Sequence, residues 1–382
     1  MIYLDHAATT PMSRKAIATY RHVAELYYGN ASSLHEAGTE ASRILEGSRA
    51  AIASILGVSE KGLYITGSGS EASFLILASV AKQRKPQGRH VIISAVEHSS
   101  VLNAGQWLAE QGFEVTELGV NEHGLITKEA LERALRPDTI LCSIQHANSE
   151  TGVMQDLETL GALLSERSVF FHSDCVQTFC KVPVQPDLWK LDALTVSAHK
   201  IGGPKGVGAA WIRPSKQWTP FIPGTTHERR FRPGTVDVPA AAAFAAAAKE
   251  RFSDLDANAA QCSSLAGVFS LELKEQLGEQ VVVVGEKSPR LPHIFGLKLP
   301  AMEGQYAMLE CSQRGVGMST GSACRVNEQQ PSPTMLALGY SEQDAMQFVR
   351  LSLDADNTEE EIRKAVKILA GVIEKHSNMI TL

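Results

Sequence analysis

The segment SAHKIGGPKGVG, residues 197–208, places a lysine between a β-rich run and a glycine-rich turn. Ligands of open α/β sheets bind beyond the carboxyl ends of the strands, so Lys200 stands where a side chain could reach a ligand. A lysine amine at such a place can form a Schiff base with an aldehyde cofactor. A lysine near glycines is more often a solvated charge, as Lys205 illustrates, so the neighbouring motifs must decide between the two.

A second polar cluster, HSDCVQ at residues 172–177, directly follows the apolar run VFF. Asp174 is therefore expected at another strand end, where its carboxylate could pair with the protonated nitrogen of a pyridine ring. That nitrogen makes the ring an electron sink for charge left at a substrate carbon. Gln177 could reach the phenolic oxygen of the same ring. The simpler alternative for Asp174 is a cap on the following helix.

Two further motifs stand at predicted strand ends. TGSGSEAS, residues 66–73, lies between the run LYIT and an apolar helix, so Gly69 and Ser70 fall at a helix N-terminus, where backbone N–H groups bind phosphate. The loop lacks the lysine of a Walker A motif, and an ordinary capped turn is the alternative. His98 follows the run HVIIS and could stack on a flat aromatic cofactor, with a purely structural histidine as the alternative.

The elements that must position these residues alternate between short β-rich runs and helix-length amphipathic segments over residues 62–212. This alternation predicts an α/β fold with a largely parallel sheet covered by helices. The predicted strands are LYIT, HVIIS, FEVTEL, TILCSIQ, VFFHSD, ALTVSA and VGAAWI.

The flanking segments are of other kinds. Residues 33–56 have a helical pattern. The stretch 214–239, rich in Pro, Gly, Thr and Arg, predicts a loop at the site, with a domain hinge as the alternative. From about residue 258 the chain mixes helices with the strands VVVVG, HIFGLKL and VRLSL, which predicts a smaller α+β domain. A last helix begins with the capping box Thr358-x-x-Glu361.

Composition limits the classes of function. Hydrophobic residues make up 44% and charged residues 20% of the 382 residues, as in soluble globular enzymes. A net charge of −6 without a Lys/Arg cluster argues against direct binding of nucleic acid. The longest apolar run, residues 240–248, predicts a buried Ala-rich helix, because a membrane span needs about 20 residues. The N-terminus has no secretion signal pattern, so we expect a cytoplasmic protein.

Motifs along nearly the whole chain resemble the cysteine desulfurase family, in the class V aminotransferase branch of fold-type I enzymes that depend on pyridoxal 5′-phosphate. The motifs, in chain order, are YLDHAATTP, GNASSLHEAG, TGSGSEA, EH, NSETG, HSDCVQ, SAHK, RPGT, GSAC and RLSL. The resemblance implies a large domain, residues 13–255, with a mainly parallel seven-stranded sheet. It also implies a small α+β domain, residues 1–12 and 256–382, that carries the catalytic cysteine.

The resemblance also implies residue roles. Lys200 holds the cofactor covalently, Asp174 pairs with the pyridine nitrogen, Gln177 faces the phenolic oxygen, His98 stacks on the ring, and Arg350 binds the substrate carboxylate. The phosphate contacts are Gly69, Ser70, Ser197 and His199, with Thr235 of the RPGT loop supplied by the partner subunit of an obligate homodimer. The alternative for Arg350 is a surface arginine.

This chain departs from the family pattern at four positions. Ser149 stands where the family commonly has a second Asn that contacts the cofactor, and a bridging water would compensate for the shorter side chain. His6, Ser70 and Phe74 replace a frequent Asn, Thr and Asn respectively. We expect these exchanges to preserve the fold and to alter substrate affinity.

Cys324 matches the family's sulfur-accepting cysteine, on a long loop that resembles the iron–sulfur-assembly and nitrogen-fixation subgroup. The residues themselves favour Cys324, since four other thiols lie in or beside apolar runs, where a thiol is inert. These four are Cys142, Cys175, Cys180 and Cys311, and Cys262 lies in a polar helix. A zinc site of His172, Cys175 and Cys180 is a weak alternative, because a strand-to-helix junction scatters those side chains.

The function that these observations predict is conversion of L-cysteine to L-alanine, with sulfur passed to a persulfide on Cys324 and then to an acceptor protein. The alternatives are another reaction of the same cofactor, such as selenocysteine lysis or transamination, and a weakly active subunit kept for partner binding. A dinucleotide-dependent dehydrogenase is disfavoured, since no G-x-G-x-x-G follows the first strand.

The sequence ends at Leu382, soon after the last helix. In the housekeeping iron–sulfur enzymes of the family, a longer tail helps to dock the scaffold protein. We therefore expect a dedicated sulfur acceptor, for example in tRNA thiolation or DNA phosphorothioation.

Overall fold

Strands and helices alternate through the first two thirds of the chain in a computed structural model, which describes residues 1–299, 302–321 and 331–380. The strands are β1 (Ile2–Tyr3), β2 (Leu63–Thr66), β3 (His90–Ser94), β4 (Glu114–Leu118), β5 (Thr139–Ser143), β6 (Phe170–Asp174), β7 (Ala193–Ser197), β8 (Gly208–Ile212), β9 (Val282–Val283), β10 (Ile294–Lys298), β11 (Val316–Gly317) and β12 (Phe348–Ser352). The helices are α1 (Arg14–Leu26), α2 (Glu36–Leu56), α3 (Gly69–Arg84), α4 (Ser99–Glu110), α5 (Lys128–Ala134), α6 (Leu157–Glu166), α7 (Val238–Ser253), α8 (Leu255–Leu277), α9 (Gly304–Gln313), α10 (Pro333–Ala337), α11 (Glu342–Met346) and α12 (Glu359–Ile380).

The large sheet has seven strands in the order β2-β8-β7-β6-β5-β3-β4. Strand β8 runs antiparallel to both of its neighbours, and the other pairs are parallel. Every residue of β3, β5, β6 and β7 is buried, because helices cover both faces of the sheet. The α/β fold with a mainly parallel seven-stranded sheet is thus confirmed, and all seven predicted strands are present.

A second, smaller sheet is antiparallel, with the order β12-β10-β9. Helices α8, α9 and α12 pack on it around a separate hydrophobic core. Strand β1 pairs in parallel with β11, so the first residues of the chain join these C-terminal elements. The boundaries expected at residues 12/13 and 255/256 stay a prediction.

The predicted loop at residues 214–239 is irregular up to the start of α7, apart from a 3₁₀ turn at Glu228–Arg230. Three consecutive non-glycine residues there have φ angles of 44°, 51° and 76°, a strained conformation that persists where contacts determine it. The Glu228 carboxylate provides such contacts. It accepts hydrogen bonds from two nitrogens of Arg49, at 2.7 and 3.0 Å, and from the Ile65 amide at 2.6 Å.

The last helix begins as its capping box predicts. The Thr358 amide donates to Glu361 Oε2 at 3.0 Å, and the Glu361 amide donates to Thr358 Oγ1 at 3.2 Å. The helix then buries an apolar stripe, including Ile362, Val366 and Leu369, in the second core. Throughout the described part of the chain, no helix is both long enough and apolar enough to span a membrane.

Replacement of Glu228 tests how strongly its ion pair holds the irregular loop to β2. Both side chains of the Arg49–Glu228 pair are 2% exposed, so Glu228→Ala would leave a buried guanidinium with only the half-exposed Glu46 as its counter-ion. We expect the free energy of unfolding to fall by about 3–5 kcal/mol, measured by chemical denaturation.

Glu46→Ala is the matched control, because Glu46 pairs with the same arginine but is 50% exposed. An exposed partner contributes about 1 kcal/mol or less. Equal losses for the two variants would contradict the role given to the buried carboxylate.

Candidate active site

A cavity of about 170 Å³, open to solvent, lies at the carboxyl ends of β6 and β7 and at the start of α3. Sequence reasoning placed ten site residues that line it: Gly69, Ser70, His98, Ser149, Asp174, Gln177, Ser197, His199, Lys200 and Arg350. Thr235 is exposed and does not line the cavity of its own chain. Cys324 falls outside the described residues.

Lys200 enters the cavity from the 3₁₀ turn that follows β7. Its Nζ donates to the carbonyl oxygens of Ala7 and Ala8, at 2.6 Å each. These two acceptors come from the N-terminal segment, which crosses the sheet edge and is held there by a hydrogen bond from the Thr10 amide to the His199 carbonyl at 2.8 Å. The lysine is therefore directed into the cavity, and the reading of Lys200 as a solvated surface charge is wrong.

Asp174 ends β6 and is buried, with its Oδ1 accepting the Val176 amide at 2.8 Å. Burial raises the pKa of Asp174 to about 6, although the Val176 N–H and the Lys200 ammonium act in the opposite direction. A cationic N–H partner in the cavity would lower the pKa of Asp174 again and so favour its ionised form. The backbone contact shows that Asp174 also orders the turn after the strand.

Gln177 is buried beside this carboxylate, and its Nε2 donates to the Ala7 carbonyl at 3.0 Å. Its Oε1 accepts no hydrogen bond from any residue within the described ranges. Ser197 Oγ is also buried, and it too has no hydrogen-bond partner among the described residues. Buried polar atoms are normally satisfied, so both atoms have capacity for a bound group.

His98 is the N-cap of α4, where its Nδ1 accepts the Ser100 amide at 3.2 Å. Burial and then the charge of Lys200 lower the pKa of His98 to about 4, so its ring is neutral near pH 7. His98 therefore has the structural role that was the alternative from the sequence, as a helix cap. The same ring also lines the cavity.

The first turn of α3 forms another wall of the cavity. Ser68 is its N-cap and accepts the Glu71 amide at 3.0 Å, whereas the first amides of a helix have no intrahelical acceptor. A Cβ on Gly69 would lie 3.0 Å from Val176 Cγ2 and 3.3 Å from Ser197 Cβ. Glycine therefore keeps the backbone of this turn close to the neighbouring strand ends and open to an anion.

Arg350 comes from β12 of the smaller sheet, and its side chain is 2% exposed. One terminal nitrogen donates to Asp5 Oδ1 at 2.7 Å, and the other donates to the Ser149 carbonyl at 3.0 Å. No described residue accepts from its Nε. Arg350 is thus a buried, oriented cation at the cavity, and the reading of it as a surface arginine is wrong.

Sequence reasoning missed several contributors to the site. The carbonyls of Ala7 and Ala8 and the carboxylate of Asp5 lie in the motif YLDHAATTP, which carried no role beyond the resemblance. Glu97 was also missed. Its Oε1 accepts the Gln145 amide at 2.6 Å, and burial, with the nearby Asp174 carboxylate, raises the pKa of Glu97 well above its ordinary value. The one available signal was the concentration of polar residues in these short motifs.

The geometry does not support the alternative of a zinc site at His172, Cys175 and Cys180. His172 uses both ring nitrogens, 2.8 Å from Ser143 Oγ and 3.0 Å from Thr195 Oγ1. Cys175 and Cys180 are buried free thiols, and burial raises their pKa values.

Known proteins are similar to this chain over most of its length. A family model described as aminotransferase class-V matches residues 2–365. A NifS protein of Bacillus subtilis (strain 168) is 44% identical over 365 residues, which cover 95% of this chain and 92% of that protein. Cysteine desulfurase IscS of Dictyoglomus turgidum (strain DSM 6724 / Z-1310) is 33% identical over 374 residues, with 98% and 95% covered.

Solved structures are also similar over nearly their whole length. A NifS-like protein has a TM-score of 0.90 at 29% identity, with 97% of this chain and 99% of that chain covered. SspA in complex with cysteine has a TM-score of 0.82 at 28% identity, with 93% and 99% covered. DndA from Streptomyces lividans has a TM-score of 0.77 at 30% identity, with 92% and 99% covered. From this agreement of sequence and fold, the chain belongs to the class-V aminotransferase family and, within it, to the cysteine desulfurases of the NifS and IscS type.

Proposed function

We propose that this cysteine desulfurase converts L-cysteine to L-alanine through Lys200, Arg350 and Cys324, with pyridoxal 5′-phosphate as its cofactor. The observation that carries the assignment of residues is the opening of the Lys200 ammonium, the Asp174 carboxylate and the Arg350 guanidinium into one cavity. The sulfur passes to a cysteine persulfide and then to an acceptor protein.

The cavity fits pyridoxal 5′-phosphate by the chemistry of its groups. A buried carboxylate suits the pyridine nitrogen, and the unused atoms Gln177 Oε1 and Ser197 Oγ suit its oxygens. The helix N-terminus at Gly69 suits the phosphate. When bound, the cofactor supplies an electron sink for charge left at the substrate Cα.

Each cavity residue has a proposed task in holding the cofactor. Asp174 pairs with the ring nitrogen, Gln177 faces the phenolic oxygen, and the neutral ring of His98 covers the cofactor face. Ser149 lies beside the ring, and Lys200 forms the covalent attachment. The phosphate contacts are Gly69, Ser70, Ser197 and His199, with Thr235 from a partner subunit.

Arg350 binds the carboxylate of L-cysteine. A guanidinium presents its donors in a planar fork that matches a carboxylate, and Asp5 and the Ser149 carbonyl already orient this one. Its position at the cavity wall fixes which end of the amino acid faces the smaller sheet. The thiol of the substrate is thereby left free to meet Cys324.

Lys200 is the residue that removes the proton from the substrate Cα. Once its Nζ is released from the cofactor as a free amine, it takes the proton from the substrate Cα, a general base step that is worth about 10²–10⁴-fold in rate. The carbonyls of Ala7 and Ala8 accept from Nζ and so restrict where the amine stands. No other amine lines this cavity among the described residues.

The Cys324 thiolate attacks Sγ of L-cysteine. The new S–S bond forms as the Cβ–Sγ bond breaks, the electron pair of that bond goes to Cβ, and Cβ takes up a proton. L-Cysteine and one enzyme thiol thus become L-alanine and one persulfide, with no external oxidant. The other cysteines suit this step poorly, since four are buried and burial raises the pKa of the half-buried Cys262 to about 11.

The proposed assembly is a homodimer. Thr235 is exposed and lies outside the cavity of its own chain, as expected for a residue that completes the phosphate site of a partner subunit.

The proposed acceptor is a dedicated partner enzyme, for example one that acts in tRNA thiolation or DNA phosphorothioation. The structural similarity to DndA supports this proposal, because it shows that proteins other than those named NifS and IscS share this fold. A net charge of −6 favours an indirect action on nucleic acid through such a partner.

Lys200→Ala tests the covalent and proton-transfer roles together. We expect loss of the visible absorbance of bound pyridoxal phosphate and a fall in alanine release of about 10²-fold or more, because no second amine replaces Nζ. The control is Lys205→Ala, an exposed lysine of the same glycine-rich segment that should keep both signals. Normal alanine release by Lys200→Ala would refute the assignment.

Cys324→Ser tests the sulfur acceptor. The variant should bind cofactor and L-cysteine, seen as the spectral change on adding substrate, yet form no persulfide, because the thiolate acts after the substrate is bound. Mass spectrometry of protein treated with labelled cysteine locates the sulfur, with Cys262→Ser as the control that should retain it. Persulfide on another cysteine of wild-type protein would overturn the role of Cys324.

Transfer to candidate acceptors tests the dedicated partner. Proteins captured by the wild-type enzyme from its native host are incubated with it and with labelled L-cysteine. We expect one partner to receive label at least about tenfold faster than a general iron–sulfur scaffold protein, which corresponds to about 1.4 kcal/mol in selectivity. Labelling of the scaffold at the same rate would refute a dedicated acceptor.

A further inference from the structure

Glu150 is a buried carboxylate that has no place in the reaction described above. It is 4% exposed and follows Ser149, whose carbonyl accepts from Arg350. A buried carboxylate is costly unless other groups satisfy it, so the contacts it makes indicate its task. Those contacts lead to the two ends of the segment that contains Cys324.

The first end is the stem at residues 319–321. Ser319 and Arg350 exchange two backbone hydrogen bonds, at 3.1 and 2.6 Å, so the stem is paired with the strand of the substrate-binding arginine. Ser319 Oγ donates to the Gly321 carbonyl at 3.1 Å. Gly321 has a φ of 109°, and a Cβ there would lie 3.5 Å from Glu150 Oε2, so the carboxylate lies beside this part of the backbone.

The second end is the stem at residues 331–335. Ser332 is 5% exposed, and its Oγ donates to Glu150 Oε2. The same Oγ accepts the Met335 amide at 3.1 Å, which caps α10. The Glu150 carboxylate therefore lies beside Gly321 on one side of residues 322–330 and accepts a hydrogen bond from Ser332 on the other.

The turn that presents Glu150 is itself well held. Asn148 Oδ1 accepts the amides of Glu150 and Thr151, at 2.9 Å each. Asn148 Nδ2 donates to the Val96 carbonyl at 3.0 Å and to Thr334 Oγ1 at 3.3 Å. The carboxylate thus stands on a turn fixed to the large sheet, while Arg350 binds that turn through Ser149.

We propose that Glu150 is a positioning residue for sulfur transfer: it holds both stems of the 322–330 segment beside Arg350. The inference rests on the proposed function, because it takes Cys324 as the attacking thiol. Three extended residues reach about 10 Å, so the placement of Gly321 limits where the thiol can go. Fixing both stems raises the effective concentration of the thiol at the substrate without touching the substrate.

Glu150→Ala separates this role from catalysis by the cavity residues. We expect unchanged cofactor absorbance and an apparent affinity for L-cysteine within about twofold of wild type, but persulfide formation on Cys324 slower by about tenfold or more. Stopped-flow absorbance follows substrate binding, and quenched samples with labelled cysteine follow persulfide. Glu150→Gln should recover most of the rate, since its amide oxygen can still accept from Ser332.

Glu342→Ala is the matched control, because it removes an exposed acid from the neighbouring α11. It should change neither the binding nor the transfer rate. Ser332→Ala provides a second route to the same contact if Glu150→Ala fails to fold. It should show the same separation of binding from transfer, and the double variant should be no slower than the slower single variant.

Three outcomes would overturn the inference. The first is a wild-type transfer rate in folded Glu150→Ala, and the second is equal loss of substrate binding and transfer, which indicates general damage. The third is wild-type protein without persulfide on Cys324, which would refute the proposed function as well. The first two leave the proposed function intact, so the two failures are distinguishable.

Discussion

The hydrogen bonds from Lys200 Nζ to the carbonyls of Ala7 and Ala8 join the large sheet to the start of the chain, and the rest of the site depends on them. The same segment accepts from Gln177 and, through the Ala7 amide, donates to Ser352 Oγ of the smaller sheet at 2.8 Å. One short stretch of backbone thus sets Lys200, Gln177 and the smaller sheet relative to each other. A turn can do this because the carbonyls of Ala7 and Ala8 are not used within a helix or a sheet.

Burial decides which groups of the cavity carry charge. His98 and His199 have pKa values lowered to about 4, first by burial and then by the charge of Lys200. The cations that line the described part of the cavity near pH 7 are therefore Lys200 and Arg350. Two fixed positive charges in a partly dry site suit anionic ligands, and the neutral histidines add no further charge.

The contacts between the smaller sheet and the cavity involve backbone groups as well as side chains. Arg350 binds the carbonyl of Ser149, so the exchange of the family's asparagine for serine leaves this contact intact. The adjacent Glu150 extends the same turn to the stems at residues 319–321 and 331–335. The proposed substrate binding by Arg350 and the proposed placement of Cys324 therefore both depend on one turn between the two sheets.

The sequence alone predicted the strand-end motifs, because hydrophobic periodicity and the turn residues that interrupt it are local properties of the chain. The prediction that Lys200, Asp174, Gly69 and His98 stand at the ends of successive elements is confirmed, since carboxyl ends of parallel strands share one edge. The capping box at Thr358 is confirmed for the same local reason. Family resemblance, and not spacing, supplied the roles of Arg350 and Cys324.

Only the tertiary structure decided which distant groups meet these motifs. Peptide carbonyls such as those of Ala7 and Ala8 have no side-chain signature, so no pattern could mark them as the acceptors of Lys200. The raised pKa values of Glu97 and Asp174 come from burial, which depends on how the layers pack. The convergence of two stems on Glu150 joins residues far apart in sequence, and such pairings are fixed by packing, not by local preference.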